Sequence, residues 1–232
     1  MVFSNSTTKA GVVEEIDFLV NTDDNTYPIA EKTRNINRAL DRVVSMILSV
    51  DGKWQFDDTN SSDLPIARAD INASQYDYTF DAEHLKVLRL EIQDDSGNWR
   101  VIPQRDIRDI KEGLLDASSP ASQPAFYDVS GTQIFLYPAT NYSKTDGLRV
   151  HFQRVVNYFT TTDTTKEPGF AKNFHRLMSL WGAYDYCVSK RLDQGGLLRQ
   201  EINTMESELK DFYSKRDAAV QPVLKVKVNS SR

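Results

Sequence analysis

Three histidines, one cysteine and two acidic pairs are the side chains of this 232-residue sequence most able to do chemistry. A zinc site draws its ligands from closely spaced His, Cys, Asp or Glu. His84, His151 and His175 are far apart, and no two stand at ligand spacing. His84 and His151 fall in strand-like segments, where a hydrogen-bonded or surface imidazole is expected. His175 lies beside the apolar stripe of a predicted helix and reads as boundary packing. A catalytic cysteine needs a neighbouring base and a setting that favours the thiolate. Nothing around Cys187 supplies either, so a core thiol is expected. Asp57-Asp58 and Asp94-Asp95 could hold calcium, but they lack the alternating ligand spacing of an EF-hand loop and read as solvated loop acids. There is no Gly-x-Ser-x-Gly elbow and no Gly-rich phosphate loop between strand and helix. The sequence therefore predicts no catalytic residue, no cofactor and no metal, and a binding or assembly role in place of an enzymatic one.

Aromatic residues offer a second kind of chemistry. Trp54, Phe56, Tyr76, Tyr78, Phe80 and Trp99 gather in the middle of the chain. Such residues can stack on sugars or on single-stranded bases. Without interleaved Lys and Arg the nucleic-acid version is weak, which leaves a carbohydrate- or receptor-binding β-module as the alternative reading.

The elements that carry these residues follow from hydrophobic period. Val12, Val13, Ile16, Leu19 and Val20 repeat at helical spacing, and the polar run Asn21–Asn25 closes that helix. Pro28 then opens a longer helix, a position where its missing N–H costs nothing. Ile29, Thr33, Ile36, Leu40, Val43, Val44 and Ile47 form its apolar stripe, and Asp51-Gly52 stops it. From Lys53 the period becomes two. Strands are predicted around Tyr76–Phe80, Leu85–Gln93, Trp99–Ile102, Gln133–Tyr137 and Gly147–Val156, with a hairpin turn at Ser96-Gly97-Asn98. Asp106–Ile110 suits one helical turn, and Asp116–Pro124 reads as a loop. Helical spacing returns with Phe170, Phe174, Leu177, Trp181, Tyr184, Val188 and Leu192. A second helix through Leu198, Ile202, Met205, Leu209 and Phe212 is joined to it by a Gly195-Gly196 turn.

The expected fold class is α+β: a small bundle of about four helices, a β-rich insertion between the two helical pairs, and an extended C-terminal tail. Residues 1–52 and 161–221 supply the bundle, 53–160 the insertion and 222–232 the tail. Pro222 ends the helical part, and Val223, Leu224, Lys225, Val226, Lys227 and Val228 alternate like a strand without a local partner. Neither helical pair can bury its stripe alone, so the two are expected to pack together.

Composition limits the partners. The net charge is −5, which argues against a nucleic-acid binder relying on a global positive field. From Asp51 to Pro120 there are fifteen acids against eight Lys and Arg, whereas no acid follows Asp217. A single cysteine permits a reducing compartment. The N-terminus lacks a signal-peptide pattern, and no apolar run approaches the roughly 18 residues of a membrane span.

One stretch resembles a known family. Pro124-Ala125-Phe126-Tyr127-Asp128-Val129-Ser130-Gly131-Thr132-Gln133-Ile134-Phe135-Leu136-Tyr137-Pro138 is similar to a segment of the head-to-tail adaptor (connector, neck or tail-tubular) proteins of tailed bacteriophages. There, a proline-aromatic start leads to a glycine turn, a short apolar strand and a proline. The strand Leu148–Arg154, the helix from Phe170 and the early helix Ile29–Leu48 with Arg38-Ala39-Leu40 continue the likeness. The resemblance implies a virion protein at the neck, made in the bacterial cytoplasm. It implies a twelvefold ring of copies under the portal protein, with a tail or neck protein below and packaged DNA passing through without specific binding. It also implies that the C-terminal segment grips the portal. Val223, Leu224, Lys225, Val226, Lys227, Val228 and Arg232 are then the docking residues, through strand addition to a partner's sheet edge. The β-insertion is more developed here than in that family.

Overall fold

A computed structural model describes residues 1–52, 54–55, 65–80, 84–109 and 123–216. The fold is α+β and divides into two compact units. One unit comprises Met1–Asn60 and Val156–Arg232, and the other Ser61–Val155.

The first unit is helical. Helix α1 (Val12–Val20) buries Val12, Val13, Ile16 and Val20 and ends at Asn21 in the left-handed conformation. Pro28 caps α2 (Ile29–Val50), whose buried face runs through Ile36, Ala39, Leu40, Val43, Val44 and Ile47. After a 3-10 turn at Lys172–Phe174 come α3 (Arg176–Lys190) and α4 (Gly195–Arg216). Helix α3 is central, touching α1, α2 and α4. A helix enclosed on several sides must be apolar around most of its girth. Accordingly Met178, Leu180, Ala183 and Cys187 are buried along with Leu177 and Trp181.

Several expectations for this unit are corrected. The third helix starts at Arg176, six residues after Phe170, because the chain first makes the 3-10 turn. Val188 and Leu192 are exposed, since the buried arc shifts to Cys187. Gly195 and Gly196 open α4 and do not form the turn, which Arg191 makes in the left-handed conformation. On α4, Tyr213 takes the core position expected for Phe212, which is half exposed. Trp54 belongs to this core, edge-on to Tyr213 at 6.0 Å, and not to any aromatic cluster of the β-part. Phe159 also packs here, stacked on Phe3 at 5.0 Å, so the helical unit resumes before the threonine-rich connection. Phe56, Asp57-Asp58, most of Asp116–Pro124 and the tail from Val223 to Arg232 lie outside the described residues.

The second unit holds two antiparallel sheets. Strands β1 (Ile66–Ile71), β3 (His84–Gln93), β4 (Trp99–Ile102) and β7 (Lys144–Arg154) form one sheet in the order β1-β7-β3-β4. Strands β2 (Asp77–Thr79), β5 (Phe126–Ser130) and β6 (Gln133–Tyr137) form the other in the order β2-β6-β5. Ile71, Leu90, Ile92, Leu148 and Val150 from the first sheet meet Tyr78, Tyr127, Ile134 and Leu136 from the second in one core. The β3–β4 hairpin turns through Gly97 at φ 91, with Asp94 accepting from the Asn98 amide at 2.8 Å. The β5–β6 hairpin closes through Gly131 at φ 61, where positive φ suits a tight two-residue loop. Strands β1 and β5 were not predicted. On β7 the pattern shifts, so that Gln153 is buried in place of Phe152.

Candidate functional site

Most sequence-level candidates have structural roles. Cys187 is buried in the helical core, and burial raises its thiol above the usual range. Asp94 is a turn residue whose carboxyl is lowered by the Asn98 backbone amide. Among the described residues no group of three or more His, Cys, Asp or Glu could hold a metal ion. No described helix is long and apolar enough to cross a membrane.

His175 is not at a boundary: it is 1 % exposed. Its Nε2 donates to the Phe170 carbonyl oxygen at 2.9 Å, and Nδ1 lies 3.1 Å from the Met1 carbonyl oxygen. Nδ1 sits 3.0 Å from the Met1 nitrogen. Burial lowers the imidazole pKa, against an opposing pull from the Phe170 carbonyl. Because the folded value is depressed, the unfolded chain binds the extra proton first. The stabilisation is complete above the unfolded value of about 6.5 and is lost as pH falls below it toward the folded value. The melting temperature should therefore drop more between pH 7.5 and 5.5 in the wild type than in His175→Gln. Equal drops would show that His175 is not the titrating group.

Two charged nodes tie the helices together. Lys32 is completely buried, yet its Nζ reaches Asp17 at 2.7 Å and Asp24 at 2.9 Å. Trp181 lies between Arg42 at 4.2 Å and Arg199 at 4.9 Å from its ring, and its Nε1 donates to Glu206 at 3.1 Å. Asp185 faces Arg42 at 3.8 Å, and burial raises its carboxyl more than the arginine lowers it. Sequence reading missed Lys32. Its signal was position, because Ile29, Lys32, Ile36 and Leu40 share helical spacing.

The second unit carries a different constellation. Pairing places Arg68 of β1 opposite Arg149 of β7, Arg149 opposite Glu91 of β3, and Glu91 opposite Val101 of β4. In the adjacent row His151 stands opposite Arg89. Alternation directs all of these to the face away from the core, since Leu90, Ile92, Leu148 and Val150 point inward. Trp99 borders the cluster, with the Arg149 guanidinium 3.6 Å from its ring centre. Arg89 reaches Glu91 at 2.6 Å, whereas Arg149 and His151 stay at 3.9 and 3.5 Å. The sequence-level aromatic set does not assemble as one platform. Tyr78 is buried, Tyr76 stacks on Phe135, Trp99 lies under Arg149 and Trp54 is in the other unit.

No family model matches the chain, and no curated protein matches it in sequence.

Proposed function

We propose that this chain is a structural assembly protein of a tailed-phage virion, a head-to-tail adaptor that forms a ring under the portal and continues the DNA channel. The observation that carries the reading is the order of parts. Two helices, a β-unit and two further helices follow one another, with α3 packed against α1 and α2 across the insertion. The stretch with the family resemblance, Pro124–Pro138, contributes the β5–β6 hairpin of that β-unit. Cationic, aromatic and ion-paired nodes bind its helices to one another, which is the economy of a scaffold. The localisation that follows is the virion neck, and the partners are the portal, further copies of the chain and the next tail or neck component.

Attachment is assigned to residues 222–232. Pro222 cannot continue a helix without a break. The Val-Leu-Lys-Val-Lys-Val alternation puts Val226 and Val228 on one face and Lys225 and Lys227 on the other of an added strand. Acids on the portal would meet Lys225 and Lys227 for about 1 kcal/mol or less each at an exposed contact. Mixing the full chain with portal rings should give a co-sedimenting complex. A chain ending at Gln221 should melt at the wild-type temperature and fail to co-sediment. Full-length chain that never joins the portal would overturn the adaptor reading, and undiminished attachment of the shortened chain would overturn the role of the tail.

A further inference from the structure

We infer that the outer face of the four-stranded sheet is a docking surface for an acidic segment of a protein partner. The inference goes beyond the adaptor reading and does not depend on it. It starts from register. Like charges directly opposite each other on a sheet are unfavourable, yet Arg68 faces Arg149 across β1–β7, and Arg89 stands in the next row of the same face, opposite His151. Neighbouring strands lie about 4.8 Å apart, so these four groups share one small block of surface.

The block is short of acceptors. Glu91 is the carboxylate paired with Arg149 and its close contact goes to Arg89, while Asp70, two residues beyond Arg68 on β1, accepts from the Asp146 amide. Arg149 Nε and His151 Nε2 are the buried side-chain nitrogens among the described residues with no hydrogen-bond partner. Buried polar groups are ordinarily satisfied, so the Arg149 Nε–H lacks an acceptor, while the guanidinium groups open to a partner are those of Arg68, which is exposed, and Arg89, whose side chain is 53 % exposed. Carboxylates meet arginine through paired, charge-assisted hydrogen bonds, which fits that deficit.

The surroundings favour a protein over a nucleic acid. Val101 is 52 % exposed opposite Glu91, and Trp99 flanks the block. Arginine and tryptophan beside an exposed apolar side chain are the composition of an interface centre. The Trp99 ring carries the Arg149 guanidinium and so is not free on that side to receive a base. A long polyanion would also meet the whole chain's charge of −5, whereas a short acidic segment feels chiefly the local block.

The test uses the full chain and a fluorescein-labelled decaglutamate peptide, with binding read by anisotropy at low and moderate salt. Arg68→Ser combined with Arg89→Ser should weaken the peptide at least tenfold while leaving the melting temperature within a few degrees. Arg34→Ser combined with Lys210→Ser removes the same charge from exposed helical positions and should leave binding within twofold. Raising salt should weaken the wild-type complex. An oligothymidylate decamer should bind less tightly than the peptide. The proposal is overturned if wild-type chain does not bind the peptide, or if the two double variants lose equal affinity. It is also overturned if the oligonucleotide binds more tightly than the peptide and loses that binding in the Arg68/Arg89 variant.

Discussion

Replacing Lys32 with alanine should lower the unfolding free energy by about 3 kcal/mol, near the lower end of what breaking a buried ion pair costs. The ammonium group is fully enclosed, and Asp17 and Asp24 converge on it from α1 and from the connection to α2. Alanine removes the charge, opens a void along the stem and leaves both carboxylates without their cation. The cost stays near the lower end because Asp24 is mostly exposed and Asp17 partly so, and both can return to water. Lys32→Met keeps most of the volume and should recover at least half of the loss. Urea midpoints at constant slope give the comparison. A loss below about 1 kcal/mol for the alanine variant would show that the pair is not holding the connection in place.

A larger loss, about 3–5 kcal/mol, is expected for Tyr27→Ala, as for other buried aromatic truncations. The ring is 1 % exposed and stacks on Tyr186 of α3 at 4.5 Å. Its hydroxyl donates to the Gly182 carbonyl at 3.2 Å and accepts from the Asn35 amide at 2.6 Å. Burial pushes the phenol pKa up to about 12, so the group stays a neutral donor through the physiological range. Tyr27→Phe isolates the polar part. It keeps the stacking but leaves the buried Asn35 amide without this partner, for about 1–3 kcal/mol. If the phenylalanine and alanine variants proved equally stable, the stacking contact would carry none of the effect.

How far the fold could be read from sequence follows from where each signal resides. Helix α2 and the β3–β4 hairpin were legible because period and turn residues are local. Strand β1 was not, since Ile66-Ala67-Arg68-Ala69-Asp70-Ile71 has weak strand formers at its centre. It is held by pairing with β7, far along the chain. Helix α3 misled in a different way. A stripe of one residue per turn fits a helix touching one neighbour, whereas α3 touches three and buries a wider arc. The basic sheet face could not be read at all. Arg68, Arg89 and Arg149 become neighbours only through the register of three strands. The sequence marks His151 as a strand residue but carries no sign of which side chains stand beside it.

The two ends of the β-unit are its outermost paired strands in sequence, β1 and β7, which run antiparallel side by side. Beyond the ladder, the Phe152 amide donates to the Pro65 carbonyl at 3.1 Å, so the chain enters and leaves this unit through one narrow stem. That geometry bears on the order of folding. The helical unit is built from segments on both sides of Ser61–Val155, and closing such a loop carries an entropic cost that grows with the logarithm of its length. Once β1 and β7 have zipped, the effective loop between α2 and α3 shrinks from about 125 residues to about 40, which removes about 1 kcal/mol of closure entropy. The β-unit then serves the helices as a clasp, bringing α2 and α3 within reach of each other before either has buried its apolar face.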